Sequence, residues 1–342
     1  MFGMVSKDIG IDLGTANTLL SIKGKGIVLR EPTVVAINRD TNEVIATGEE
    51  AKAMLGRTPG NIVAVRPLKD GVIADFSATQ LLLKNMIHKV CEKYKISKPR
   101  IVVCVPTGVT EVEERAVEES VIEAGGKSAF IMEEPMAAAI GAGLNVSEAS
   151  GSMIVDIGGG TSEIAVISLG GIVTSKSIRT AGDELDDAII SYIKREFNLM
   201  IGERTAEDIK VNIGNACIPT IEESMEIRGR DLLTGLPKTL EITSTQIGEA
   251  MQEPIREIIE GIKMTLERTP PELSADVMEK GIVLAGGGAL IKNLDMLISN
   301  ETGMPVFIAD NPLDCVVNGA NKVLSDLDHL KSALSNANRN RR

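Results

Sequence analysis

The stretch Ile9-Gly-Ile-Asp-Leu-Gly-Thr-Ala-Asn-Thr18 returns in altered form as Ile154-Val-Asp-Ile-Gly-Gly-Gly-Thr-Ser-Glu163. Each copy is a short apolar run that ends in Asp-x-Gly and passes into small and hydroxylic residues. Each is followed by a second apolar run, Leu19-Leu-Ser-Ile22 and Ile164-Ala-Val-Ile167, so both read as β-hairpins closed by a glycine turn. A repeat spaced this widely implies a duplicated half-domain rather than a short solenoid period. The expected fold is therefore α/β, with two lobes of duplicated origin facing each other across a cleft that brings the two turns together.

Glycine at a hairpin tip lets the backbone come close to a ligand, so that successive N–H groups converge on phosphate oxygens. Two such tips could clamp a polyphosphate from opposite sides. Asp12 and Asp156 stand just before the turns, where carboxylates can hold Mg2+ through its water shell. One Asp-x-Gly alone is an ordinary tight turn; two copies, each on an apolar strand, point to a nucleotide.

A third glycine cluster, Gly281-Ile-Val-Leu-Ala-Gly286-Gly-Gly-Ala289-Leu-Ile-Lys-Asn-Leu294, reads as a strand, a triple-glycine turn and a short helix, a geometry that admits a flat ring or a phosphate. Between the hairpins lies Glu133-Glu134-Pro135-Met-Ala-Ala-Ala-Ile-Gly-Ala-Gly143. Pro135 suits the first turn of a helix, and the small residues after it allow a second helix to approach closely. The two carboxylates complement the helix dipole, and one of them could also orient a water for attack on a terminal phosphate.

Short β-rich runs alternate with helical patterns along the rest of the chain, which is the α/β signature. Residues 8–13, 101–105, 153–157, 163–167 and 282–285 read as strands. Helical spacing is clear in Leu83, Met86, Ile87, Val90 and Cys91, in Val112, Ala116, Val117, Val121 and Ala124, and from Ile247 to Leu266, ending before Pro270-Pro271.

With 342 residues, 43% of them hydrophobic and 25% charged, the chain can build two cores, and with 2% aromatics those cores must be aliphatic. A net charge of −12 argues against nucleic acid as a partner. The four cysteines, Cys91, Cys104, Cys217 and Cys315, lie far apart without a C-x-x-C pair, too sparse for a zinc site or a disulfide framework, and Cys104 reads as a small buried hydrophobe. No apolar stretch approaches the roughly 18–20 residues that a membrane-spanning helix needs, and the first residues lack a signal-peptide pattern, so the expected location is cytoplasmic.

Taken together these segments resemble the actin, heat-shock ATPase and sugar-kinase superfamily over nearly the whole chain. Residues 9–18 are similar to its first phosphate motif, 133–143 to the first connecting helix, 153–167 to the second phosphate motif, 281–291 to the adenosine motif and 314–321 to the second connecting helix. Asp12-Leu-Gly-Thr-Ala-Asn-Thr18, Arg66-Pro-Leu-Lys-Asp-Gly-Val-Ile-Ala-Asp75, Met225-Glu-Ile-Arg-Gly-Arg-Asp-Leu-Leu-Thr-Gly-Leu-Pro237 and Thr269-Pro-Pro-Glu-Leu273 narrow the resemblance to the MreB/Mbl family of bacterial actin homologues.

That resemblance implies an actin-like ATPase fold with lobes at 1–145 and 146–335, smaller subdomains near 33–75 and 182–246, and a polar tail at 336–342. It implies a weak ATPase whose cofactors are ATP and Mg2+, which polymerises with itself, lies along the inner face of the cytoplasmic membrane and works with the cell-wall elongation machinery to maintain rod shape. By motif position Gly14, Thr15, Ala16 and Asn17, with Gly158, Gly159 and Gly160, would cradle phosphates. Asp12 and Asp156 would serve Mg2+, with Glu134 and Thr161 positioning the attacking water. Glu207 and Lys210 would approach the adenine and ribose, and Gly286, Gly287, Gly288 and Ala289 would close the other side.

For the membrane surface the candidates are the apolar start, Phe2 and Met4, and Ile96 in the lysine-rich loop Lys93-Tyr-Lys-Ile-Ser-Lys98. Here the sequence departs from family members with a longer helical extension or a longer apolar loop. Two relatives in the superfamily are the rival expectations. A heat-shock ATPase would need a large substrate-binding region after the last motif, and a sugar kinase would need a base aimed at a sugar hydroxyl, for which no residue stands out.

Overall fold

The computed structural model describes residues 8–219 and 221–325. Phe2, Met4 and the tail 336–342 lie outside them. The described chain separates into two compact units, one taking the residues up to Asn145 and those from Asp314 onward, the other Val146–Leu313.

In the first unit the opening stretch forms β1 (Ile9–Leu13) and β2 (Asn17–Ile22), an antiparallel hairpin extended by β3 (Gly26–Pro32). A small sheet of order β5-β4-β6 follows, from β4 (Val35–Asn38), β5 (Val44–Thr47) and, after α1 (Glu49–Met54), β6 (Ile62–Val65). It closes over its own cluster of Val34, Ala36, Ala46 and Ala51. The short pair β7 (Leu68–Lys69) and β8 (Val72–Ile73) leads into α2 (Phe76–Tyr94), then β9 (Arg100–Val105), α3 (Glu111–Glu123), β10 (Ser128–Glu133) and α4 (Glu134–Gly141).

The main sheet runs β10-β9-β1-β2-β3, with β9 parallel to both of its neighbours. Parallel neighbours require a crossover, and α3 supplies the one from β9 to β10. The interior strand β9 is buried at both parities from Ile101 to Val105, as a strand covered on both faces must be, and Cys104 in it is fully buried. Ile9, Ile11 and Leu13 of β1 share a core with Leu83, Met86 and Ile87 of α2 and Val117 and Val121 of α3. The helix starts are set by local chemistry: Asp75 accepts the Ala78 N–H at 2.9 Å, and Thr110 with Glu113 forms a capping box.

The second unit repeats this plan. It comprises β11 (Ser152–Ile157), β12 (Ser162–Ser168), β13 (Gly171–Ile178), α5 (Gly182–Phe197), β14 (Leu199–Met200), α6 (Glu203–Ile213), β15 (Ser224–Asp231), β16 (Pro237–Thr243), α7 (Ser244–Arg268), α8 (Pro271–Lys280), β17 (Ile282–Ala285), α9 (Leu294–Thr302) and β18 (Val306–Ile308). Its main sheet, β18-β17-β11-β12-β13, has two parallel pairings followed by two antiparallel ones, which matches the first sheet strand for strand. The unit also contains a smaller sheet of order β14-β15-β16. Helix α7 buries Ile247, Met251, Ile255, Ile258, Ile259 and Ile262 on one face, starts at a Thr243–Gln246 capping box and stops where Pro270 and Pro271 forbid another turn.

The C-terminal helical residues 315–325 correct the expectation that 146–335 forms one lobe, because they pack in the first unit. The reason is steric. At Gly10 the hairpin has no side chain, and a Cβ there would lie 3.1 Å from Ala320 Cβ; Asn321 donates to the Ile22 carbonyl at 3.1 Å, and Val317, Ala320 and Leu324 are buried. On the other side the same helix meets α4. A Cβ at Gly141 would sit 1.8 Å from the Cys315 carbonyl oxygen and one at Gly319 would sit 1.9 Å from that of Ala137, so the two backbones touch through reciprocal glycines.

Candidate functional site

The first hairpin turn is braced from behind. Thr33 accounts for both of its inner carbonyls: the hydroxyl donates to Gly14 O at 2.6 Å and the backbone N–H donates to Ala16 O at 2.9 Å. The Thr15 hydroxyl is buried and accepts the Gly71 N–H at 3.1 Å, while the Thr18 and Thr33 hydroxyls pair at 2.9 Å. With its acceptors engaged inside the unit, the turn is suited to an anion met by backbone donors. Gly14 is required by crowding rather than by backbone angle, since a Cβ there would lie 2.7 Å from Asn17 O. Asn17 itself is exposed at the start of β2.

Asp12 and Glu134 both stand at the C-terminal edge of the parallel strands, where α/β sheets bind ligands. In register, Asp12 and Met132 flank Cys104, two interstrand spacings or roughly 10 Å apart. Glu134, 8% exposed, follows two residues beyond Met132 as α4 begins, with Pro135 in its first turn. Glu133 serves as the N-cap residue by backbone position, without a side-chain cap, so the two acids of the pair are separated by role. Burial pushes the Asp12 carboxyl up to about 7, against the lowering pull of Arg30 and with a further push from Asp314; Arg30 and Asp314 pair with each other.

A desolvated carboxyl of this kind fits a divalent cation, which would displace its proton. Among the described residues no group of three or more His, Cys, Asp or Glu side chains is set to hold a metal directly. Mg2+ suits such a place, because it keeps most of its waters and takes one or two carboxylates together with phosphate oxygens.

The second hairpin is held by the start of α5. Gly158 N–H donates to Thr161 O across the turn at 2.9 Å, and the N–H groups of Gly182 and Asp183 donate to the carbonyls of Gly158 and Gly159 at 3.1 and 2.8 Å. Asp156 and Thr161 are buried, and Gly158 and Gly159 are half-buried. In the ladder Asp156 lies opposite Glu163 on β12 and beside Ala285 on β17. Directly after Ala285 comes the triple glycine: at Gly286, φ +78°, a Cβ would lie 2.5 Å from Asp156 Oδ1, and at Gly288 one would lie 2.2 Å from Ile157 Cγ2. The third cluster is thus folded against the end of β11, with Gly287–Leu290 as a 3-10 turn and Ala289 buried beneath it. Only glycine admits so close an approach of this backbone to the end of β11.

Lys210 joins this group from α6. Its ammonium donates to Gly182 O at 2.6 Å and pairs with Asp186 Oδ2 at 2.9 Å. Glu207, one turn earlier on α6, is half-buried. Burial raises the Asp186 carboxyl to about 6, outweighing the opposing pull of Lys210, and Glu207 and Asp183 add to the rise.

Within the second unit the structure therefore gathers Asp156, Gly158, Gly159, Gly160, Thr161, Lys210 and Gly286–Ala289 around the end of β11. Within the first it gathers Gly14, Thr15, Ala16 and Asn17 on one turn, with Asp12 and Glu134 along one sheet edge. Sequence reading missed Arg30, Thr33, Gly182 and Asp186. Gly182 carries a faint signal in Gly182-Asp-Glu184, an acid-rich helix start; the other three carry none, because each acts through a partner distant in sequence.

Ile96, the candidate for the membrane surface, is half-buried and packs together with Tyr94 against the first unit's core. Lys95, at φ 54°, ends α2 in the left-handed conformation, and the Ile96 N–H returns to Cys91 O at 2.9 Å, an ending that commonly turns an apolar residue back onto the helix. The ammonium groups of Lys25 and Lys93 lie 4.5 and 5.4 Å from the Tyr94 ring centre.

A model of the family described as MreB/Mbl protein matches residues 6–332. The chain is 55% identical over 327 residues to the cell shape-determining protein Mbl of Bacillus cereus, covering 96% of this chain and 98% of that protein. It is 54% identical over 331 residues to the cell shape-determining protein MreB of Escherichia coli, covering 95% of each. Among solved structures it is similar to MreB5 of Spiroplasma citri bound to ADP, at 41% identity and a TM-score of 0.90, with 94% of this chain and 97% of that one covered.

Proposed function

The chain belongs to the MreB/Mbl family and has the actin-like ATPase fold, and from that premise we propose that it is a cytoskeletal actin homologue that binds and hydrolyses Mg·ATP, assembles into filaments along the inner face of the cytoplasmic membrane and guides cell-wall synthesis in a rod-shaped cell. The observation that carries this reading is the pair of duplicated hairpins, each an Asp followed by a glycine turn whose carbonyls are tied down inside its own unit. The chain is more than half identical to proteins named as determinants of cell shape, which supports the cellular role. A relative that carries ADP supports an adenine nucleotide.

In this reading the turns 14–17 and 158–160 grip phosphates through backbone N–H groups. Asp12 and Asp156 hold Mg2+, which offsets the charge of the phosphates. Glu134 accepts a hydrogen bond from the attacking water and Thr161 orients it, so hydrolysis needs no covalent intermediate on the protein. Gly286–Ala289, Glu207 and Lys210 take the nucleoside. Such a site would be a slow ATPase, because among the residues assigned to the phosphates none is a cation that stabilises the transferring phosphoryl as an arginine finger does.

The test is pelleting and electron microscopy of the purified protein with and without Mg·ATP and vesicles containing anionic lipid. Filaments that depend on Mg·ATP, with slow phosphate release, are the expected outcome, and filaments that lie on the vesicles support the membrane location. Fast ATP turnover that rises with an added sugar, with no polymer, would replace this reading by a kinase.

A further inference from the structure

The residues that take the nucleoside in this reading come from two separate segments of the second unit, Glu207 and Lys210 from α6 and the turn Gly286–Ala289. Burial of Ala206, Ile209 and Ile213 holds α6 on the core. Apolar burial is non-directional, so by itself it does not fix how the end of the helix stands relative to the turn. Directional bonds do. Gly214, where a Cβ would lie 2.3 Å from Lys210 O, lets the chain leave α6 abruptly, and Asn215 then forms a bridge with Lys292, three residues beyond Ala289.

The junction is closed from both sides. The Ala216 N–H donates to Lys292 O at 2.9 Å, and the Lys292 ammonium donates to Asn212 O in the last turn of α6 at 2.8 Å and pairs with Glu223. Asn293 donates through Nδ2 to Asn215 Oδ1 at 2.9 Å, and its carbonyl oxygen accepts Cys217 Sγ at 3.7 Å. Asn215 is only 5% exposed, and its side-chain oxygen also accepts the Cys217 N–H at 3.0 Å, so both acceptor positions of that oxygen are filled within the protein. Asn293 has φ 60°, a left-handed conformation that asparagine adopts more readily than most residues. Apolar side chains of the same shape can replace a buried amide pair where adhesion alone is needed. What a satisfied polar pair adds is one fixed relative placement.

Building on the nucleotide reading, we propose that Asn215 and Asn293 are positioning residues for the nucleoside: their hydrogen bond clasps the end of α6 to the segment after Gly286–Ala289 and so fixes Glu207 and Lys210 relative to that turn. Neither asparagine touches the ligand. A slot formed in advance spares the nucleoside the cost of ordering its surroundings on binding. The phosphate turns gain nothing from the clasp, because Thr33 braces one and the start of α5 braces the other.

A double-substitution cycle tests this, with the full chain and Asn293→Gly, Asn215→Ala and both together. Asn293→Gly is the milder change, since glycine keeps the left-handed backbone. Affinities for adenosine, Mg·ATP and magnesium tripolyphosphate are measured by competition with a fluorescent ATP analogue, and unfolding is followed without nucleotide. Asn293→Gly is expected to weaken adenosine and Mg·ATP about fivefold, the scale of one neutral hydrogen bond, and to leave tripolyphosphate unchanged. In the Asn215→Ala background the same substitution is expected to change affinity less than about twofold.

Equal losses for adenosine and for tripolyphosphate would show a general structural defect and overturn the proposal. So would an Asn293→Gly effect that is undiminished when the Asn215 side chain is already gone. A wild-type chain that binds no nucleotide overturns the function reading as well, whereas a wild type that binds and an Asn293→Gly variant that binds adenosine equally well overturns this inference alone.

Discussion

Glu134 shows how much one position in a sheet determines. It follows β10 directly, is nearly buried and starts a helix whose N-terminal dipole favours its charge. If it holds the attacking water, Glu134→Ala should bind Mg·ATP with unchanged affinity and lower single-turnover hydrolysis roughly 100-fold, the scale of one general base. Hydrolysis at the wild-type rate would remove Glu134 from the reaction. Asp186 makes a pH prediction. Its carboxyl rises from 3.8 to about 6 on folding, because burial outweighs the pull of Lys210. The folded chain therefore binds that proton more tightly than the unfolded chain. This contribution to stability is complete below pH 3.8 and is lost as pH rises through 6. Thermal melts at intervals from pH 4 to 7 should show Asp186→Asn with a shallower loss than wild type. Asp12 has the same sign, with its loss extending to about 7, so the difference between the two proteins, rather than the wild-type slope, reports Asp186.

At the scale of elements, the contact between α4 and residues 315–325 depends on two absent side chains. A Cβ at Gly141 meets a carbonyl oxygen at 1.8 Å, and backbone cannot move aside as the end of a flexible side chain can. Gly141→Ala should cost about 3 kcal/mol in denaturant unfolding, as overpacking does. Gly60→Ala, where nothing lies within 4 Å, should cost almost nothing and controls for the loss of a glycine. The small residues of 135–143 announced in sequence that a helix would approach, but they did not say which helix. By contrast α7 was legible from end to end, because its apolar spacing, its Thr243 cap and its Pro270 stop are all local. The strands were legible for the same reason, with β1, β9, β11, β12 and β17 falling within one residue of their expected bounds.

For the whole molecule, the chain crosses back on itself: the second unit is inserted between the first unit's sheet and its last helix. A chain ending at Leu313 should therefore lose the first unit and spare the second. It removes the buried Val317 and Leu324, each worth about 1.5–3 kcal/mol, and uncovers the Gly10 face of the hairpin, which together approach the roughly 5–15 kcal/mol that holds a domain folded. Limited proteolysis should then degrade residues up to 145 quickly and leave a resistant fragment covering 146–313; an equally resistant first unit would show that the helix is dispensable.

The duplicated hairpins, the glycine clusters, the acids beside them and the family they resemble were legible in the amino-acid order alone. All of these are encoded within ten or fifteen neighbouring residues, where alternation, glycine and proline act directly on the backbone. Folding chose the distant groups that complete them: Thr33 behind the first turn, the start of α5 behind the second, Asp186 paired with Lys210, the core against Ile96, and the unit to which residues 315–325 belong. Those pairings are settled by shape and burial across long loops, where one partner's sequence carries no trace of the other.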